Sequence, residues 1–136
     1  MKKLLTLLAL TISFSMNAQM DDNSANNNSA GTYAVAMGSS TTASGLLSVA
    51  MGYQSIASGN YSTAMGFQPI ASGLLSVAMG YETTASGEYS TAMGYQSIAS
   101  GNYSTATGSS TTASGSYSTA MGSSTTASGS RSTAMG

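Results

Sequence analysis

Glu82 and Glu88 stand six positions apart in a stretch that is otherwise almost free of charge. Two carboxylates can share glycoside hydrolysis, one as acid and the other as base or nucleophile, when each sits in a polar site that sets its ionisation. Here no such site surrounds them, and the pair reads as solvated surface charge. The chain has no His, Cys or Trp, and both lysines, Lys2 and Lys3, lie at the N-terminal tip. Nucleophilic triads, zinc centres and Schiff-base chemistry therefore lack their residues. The many glycines do not form a phosphate loop, because no Lys or helix start accompanies them. A calcium-binding roll would need recurring Asp, which is missing. The expectation is a non-catalytic protein with no cofactor and no metal.

What must position any other functional surface is a repeat. All 16 glycines fall on one series, Gly31, Gly38, Gly45 and onward in steps of seven to Gly136. The half-units alternate, so the true period is fourteen, with seven full units from Gly38 to Met135. Each reads Gly-x-x-x-x-Ala-Ser-Gly-x-x-Ser-x-Ala-Met, except that Thr107 replaces the last Met once. Regular self-similarity of this kind signals a solenoid. A coiled coil is excluded, since a Gly every two turns costs roughly 1 kcal/mol each in a helix and no Leu or Ile seam is sustained. Seven residues suit one short strand and one tight turn, with Gly accepting positive φ at the turn. Two such halves make one coil, and stacked coils make an all-β parallel β-roll.

Strand alternation sorts the side chains. Ser48 and Ala50 point one way, and Leu47, Val49 and Met51 the other; Ser62 and Ala64 oppose Tyr61, Thr63 and Met65 in the same manner. A fourteen-residue coil is narrow, so Ala and Ser are placed inside and the Leu/Tyr, Val/Thr and Met columns outside, with the reverse as the alternative. Coils stack about 4.8 Å apart, which turns the outer columns into ladders. An apolar ladder of this length exceeds the patch of about 300–600 Å² that a typical monomer exposes. Self-association through it is expected, with Leu47, Val49, Met51, Met65, Leu75, Val77, Met79, Met93 and Met121 as the seam.

A second band runs through the middle coils: Tyr53, Phe67, Tyr81 and Tyr95, flanked by Gln54, Gln68, Glu82 and Gln96, where the end coils carry Ser. Exposed Tyr suits partner contacts, which makes Tyr53, Gln54, Phe67, Gln68, Tyr81, Tyr95 and Gln96 the candidate binding residues. The competing reading is aromatic stacking between coils that steadies the turns. Pro69, in the same region, cannot donate to a ladder and is expected at a turn. The Asn-x-Ser triplets at Asn27, Asn60 and Asn102 are read as coincidental. Residues 52–64 and 94–106 are the same thirteen letters; copying whole coils lengthens a rod and favours multivalent display over one unique site.

The ends differ from the repeat. Lys2 and Lys3, the apolar run Leu4 to Phe14 and a small residue at Ala18 predict a signal peptide over residues 1–18. The run is too short to cross a bilayer core of about 30 Å. Residues 19–30 lack apolar periodicity and predict a disordered polar leader. After cleavage four carboxylates face one cation, Arg131, a balance that disfavours nucleic acid as a partner. Gly136 opens an eighth coil, so a segment of a longer protein is expected, with any membrane anchor lying further along.

At Ser48-Val49-Ala50-Met51-Gly52 and Ser76-Val77-Ala78-Met79-Gly80 the sequence resembles the Ser-Val-Ala-Ile-Gly signature of YadA-like trimeric autotransporter adhesin heads, with Met where Ile is usual. The other coils keep Ser-Thr-Ala-Met-Gly, as at Ser62 to Gly66, and the resemblance spans residues 31–136. It implies a left-handed roll, a homotrimer of three rolls side by side, and attachment to extracellular matrix protein or to host or neighbouring cells from the bacterial surface and outer membrane. The alternative is a repeat segment of a secreted or phage-like trimeric fibre. An ice-binding solenoid fits less well, because Thr41 and Thr42 are adjacent and face opposite ways.

Overall fold

The computed structural model describes residues 20–21 and 26–136. The signal peptide expected at 1–18 lies outside the described residues. From Gly31 onward the chain is a parallel β-solenoid whose coils repeat every fourteen residues, in agreement with the period. Each coil holds one five-residue strand, such as Val49–Tyr53, and one two-residue strand, such as Ile56–Ala57. The long strands stack into a nine-stranded sheet, which Met20–Asp21 joins at one edge, and the short strands form a seven-stranded sheet. All pairings are parallel, and those within the repeat are in register by one period: Ala50 faces Ala64, Met51 faces Met65, Tyr53 faces Phe67. Because both sheets are built from successive coils, every outward column becomes a straight ladder. Among the described residues no helix is long and apolar enough to cross a membrane.

The core is almost entirely alanine. Ala36, Ala50, Ala64, Ala78, Ala92, Ala106 and Ala120 on the long sheet, and Ala43, Ala57, Ala71, Ala85, Ala99 and Ala113 on the short one, are fully buried. The Ser and Thr columns join them inside, as at Ser48, Ser55, Ser62 and Thr83. Two strands linked by tight turns leave no room for larger side chains, so Ala and Ser face inward as expected. Some inner hydroxyls also tie the backbone together. Ser48 Oγ donates to the Gly45 carbonyl at 2.8 Å, and Ser55 Oγ to the Met51 carbonyl at 2.8 Å.

The turns differ from expectation. Positive φ does not belong to glycine alone. Gln54 (φ 49°) and Tyr61 (φ 59°) carry the two turns of their coil in the left-handed conformation, and the same columns do so in every coil from Tyr33 to Arg131. The coil holds these residues there through inter-coil bonds: Gln68 N–H donates to the Tyr53 carbonyl at 2.8 Å, and Tyr61 N–H to the Leu46 carbonyl at 2.7 Å. Glycine serves two other needs. Gly52 has φ 116°, a region closed to other residues. Gly59 shows no positive φ, but a Cβ there would collide with the backbone carbonyl of Gly73 in the next coil. It is glycine because two backbones touch at that point.

Two further expectations are revised, and the one for Pro69 is met and extended. Leu47 lies in a turn (φ 52°) two residues before its strand begins at Val49, so it does not share the strand face of Val49 and Met51. Pro69 is at a turn but points inward and is buried. It fits because its column mates Ser55, Thr83, Ser97 and Thr111 give no backbone N–H to a backbone carbonyl among the described residues, so proline loses nothing there. Finally, residues 27–29 of the polar leader are ordered against the first coil. Asn28 pairs with Thr42, and its N–H and carbonyl bond the Thr41 carbonyl and the Ala43 N–H, both at 2.8 Å. The leader lacks apolar period because Asn27 and Ser29 occupy core columns as polar substitutes, closing the exposed backbone edge by hydrogen bonding rather than by packing.

Candidate interaction surfaces

Ladder geometry sets what each face can do. On the long sheet the outward columns are Val/Thr and Met. Val49, Val77, Met51, Met79 and Met93 are half-buried by their own neighbours up and down the stack, while Met65 and Met121 are exposed. The columns stay in register from Met37 to Met93, with Thr107 as a single polar rung before Met121. Of the nine residues expected at the seam, seven share this face. Leu47 and Leu75 do not; they stand at the adjacent turn, both exposed.

The aromatic band occupies the end of the same long strands. Tyr53, Phe67, Tyr81 and Tyr95 stack with ring centroids 5.0, 4.9 and 5.0 Å apart and near-parallel planes. Their polar neighbours form two hydrogen-bonded pairs beside the stack. Gln68 donates through Nε2 to Gln54 Oε1, and Gln96 through Nε2 to Glu82 Oε2 at 2.8 Å. Stacking between coils is therefore present, and it leaves the ring edges facing outward. The Glu82 carboxylate beside Tyr81 holds that phenol above its usual range, because ionising the ring would set two negative charges together. Between this band and the outward Ile column of the short sheet runs an open groove of about 470 Å³, lined by Ser40, Thr42, Gln54, Ile56, Gln68 and Ile70.

A second ladder escaped the sequence reading, which placed its column on the strand. Tyr89, Tyr103 and Tyr117 stack at the other turn with centroids 4.9 and 4.8 Å apart and planes within 2°. Arg131 extends it, its guanidinium carbon 5.9 Å from the Tyr117 centroid. Tyr recurring at intervals of fourteen was the available signal. Asn60 and Asn102 also have structural work: their Oδ1 atoms accept the N–H of Leu46 at 3.0 Å and of Glu88 at 3.1 Å. Among the described residues no cluster of His, Cys, Asp or Glu could hold a metal ion.

A parallel solenoid with an alanine interior and straight outward ladders defines a repetitive structural module whose business lies on its surface. Its sequence matches the model of the YadA head domain repeat over residues 29–46, 43–68, 71–97, 85–111 and 113–136. The chain belongs to that family, whose members are adhesin-type structural segments of trimeric autotransporters rather than enzymes. No curated protein matches it.

Proposed function

We propose that the chain is the head of a homotrimeric bacterial surface adhesin, exported by means of its N-terminal signal peptide, that attaches to extracellular matrix or to host or neighbouring cells. The observation that carries this reading is the pair of Val/Thr and Met ladders on the long sheet. Their in-register Met and Val rungs make an outward apolar stripe of a kind that soluble monomers seldom expose. Three rolls packed through it would bury Val49, Met51, Met65, Val77, Met79, Met93 and Met121, with Leu47 and Leu75 at the rim. Each fully buried side chain of this size is worth roughly 1.5–3 kcal/mol. Met adapts to the imperfect fit of such a seam.

In this reading the aromatic and amide band is the contact surface. Shallow contacts repeated along the coils, and again on three chains, supply avidity without a deep pocket. The test uses beads coated with the full secreted chain, scored for adherence to matrix and to cells. A variant with Tyr53, Phe67, Tyr81 and Tyr95 all changed to Ser gives the middle coils the residues of the end coils and keeps the fold. Adhesion should fall sharply in it. Unchanged adhesion would remove the band from the adhesive surface. A second reading, a spacer segment of a secreted or phage-like trimeric fibre, draws on the copied coils; failure of the intact protein to bind any surface would favour it.

A further inference from the structure

The C-terminal end of the aromatic band has the features of a guanidinium receptor. From Tyr53 to Tyr95 each ring covers a face of the next. The next coil continues the register with Ser109 opposite Tyr95, so the Tyr95 face on that side has no ring over it. Exposure follows: Tyr95 is 46% exposed, against 39% for Phe67 and Tyr81, which are covered on both faces.

The neighbouring amide supplies direction. Glu82 as a carboxylate only accepts, so Gln96 must turn its NH₂ toward it, and does so at 2.8 Å. A planar amide then carries its Oε1 on the opposite limb, on the side of Ser110. The rung of Ser109 and Ser110 thus meets an aromatic face and a carbonyl acceptor side by side. The other end of the band has the reverse polarity. Gln54 accepts from Gln68 through Oε1, which turns its NH₂ toward Ser40.

A group that uses both features of the Tyr95 end is planar, cationic and rich in N–H donors, and the guanidinium is all three. The molecule holds its own example, since Arg131 lies over Tyr117 at the end of the second ladder. No cation from the described residues other than Arg131 competes for the site. We infer that Tyr95 and Gln96 bind an arginine side chain of a partner protein, stacked as the next rung of the ladder. This rests on the band being the contact surface and names the chemistry that it selects.

The test is a titration of the isotope-labelled full chain with Nα-acetyl-arginine amide, followed by NMR. The neutral, planar citrulline analogue is the comparison. Saturable shifts are expected at the Tyr95 ring and the Gln96 amide, and not at Tyr53. Arginine should bind about two- to five-fold more tightly than citrulline. Tyr95→Ser should abolish the response and Tyr95→Phe should keep it, while Gln96→Ser should weaken it. No response at Tyr95, an equal response to citrulline, or equal shifts at Tyr53 and Tyr95 would overturn the inference. If adhesion needs the band while arginine leaves Tyr95 unmoved, the inference alone fails. If arginine binds while the four-Ser variant adheres normally, the adhesive reading fails instead.

Discussion

Asn27 and Thr41 are joined by two hydrogen bonds to one oxygen: Asn27 Oδ1 accepts both the backbone N–H and the Oγ1 hydroxyl of Thr41, each at 2.9 Å. Its Nδ2 donates to the Gly38 carbonyl at 2.8 Å. One side chain thereby closes polar groups at the first edge of the roll. An open parallel edge would otherwise present unpaired donors and acceptors to other chains.

Asn27→Ala should therefore destabilise the roll. Stranding part-buried polar groups costs about 1–3 kcal/mol. Thermal unfolding should shift down, and amide exchange at Thr41 should speed up more than at Thr84, several coils away, whose N–H is bonded to the Ser97 carbonyl. Equal exchange at both positions would show that Asn27 does not seal the edge.

Gly73→Ala should be among the most damaging single changes. A Cβ there would stand 2.6 Å from the carbonyl carbon of Gly87 and nearer still to its oxygen, so two coils would have to part. Ser72→Ala, at the exposed neighbouring position, should be within about 0.5 kcal/mol of the unchanged protein. Denaturant melts of the two variants, side by side, measure the contrast.

Ala78→Leu should lower stability by about 1–3 kcal/mol or more, because the fully buried Ala78 has only other coil backbones and small side chains around it. Val77→Ala, on the outer face, should be milder in a monomeric fragment. A neutral Ala78→Leu in thermal melts would contradict the packed interior.

Changing Met65, Met79 and Met93 together to Asp should prevent the proposed trimer, since three charges per chain would be buried at the seam. Sedimentation should report three chains for the unchanged protein and dissociated or aggregated material for the variant. A stable, soluble monomer of the unchanged protein would refute the assembly.

Tyr81 should titrate above the usual phenol value, and Glu82→Gln should bring it back toward that value, read from phenolate absorbance. The sign for stability follows. The unfolded chain loses this phenolic proton first, near pH 10, while the folded chain still holds it. The folded state then binds more protons, so the contribution is intact below pH 10 and is lost as pH rises through the raised value. Glu82→Gln should flatten that alkaline loss.

The repeat and the inward columns were legible in the sequence because translation fixes them. A fourteen-residue coil stacked on copies of itself sets each residue against its own column, and only Ala50, Ser48 and their equivalents are small enough for the interior. Period and side-chain size were therefore sufficient. The tertiary structure decided what depends on backbone contacts between coils. Nothing in the letters Gln54 or Tyr61 announces a left-handed turn; inter-coil hydrogen bonds hold them there, at positions whose conformation favours glycine. The split between the strand face of Met51 and the turn of Leu47, the second ladder from Tyr89 to Tyr117, and the edge closure by Asn27 follow from where those turns fall. Sequence fixes which residues recur together, whereas the path of the backbone through each turn fixes which way they face.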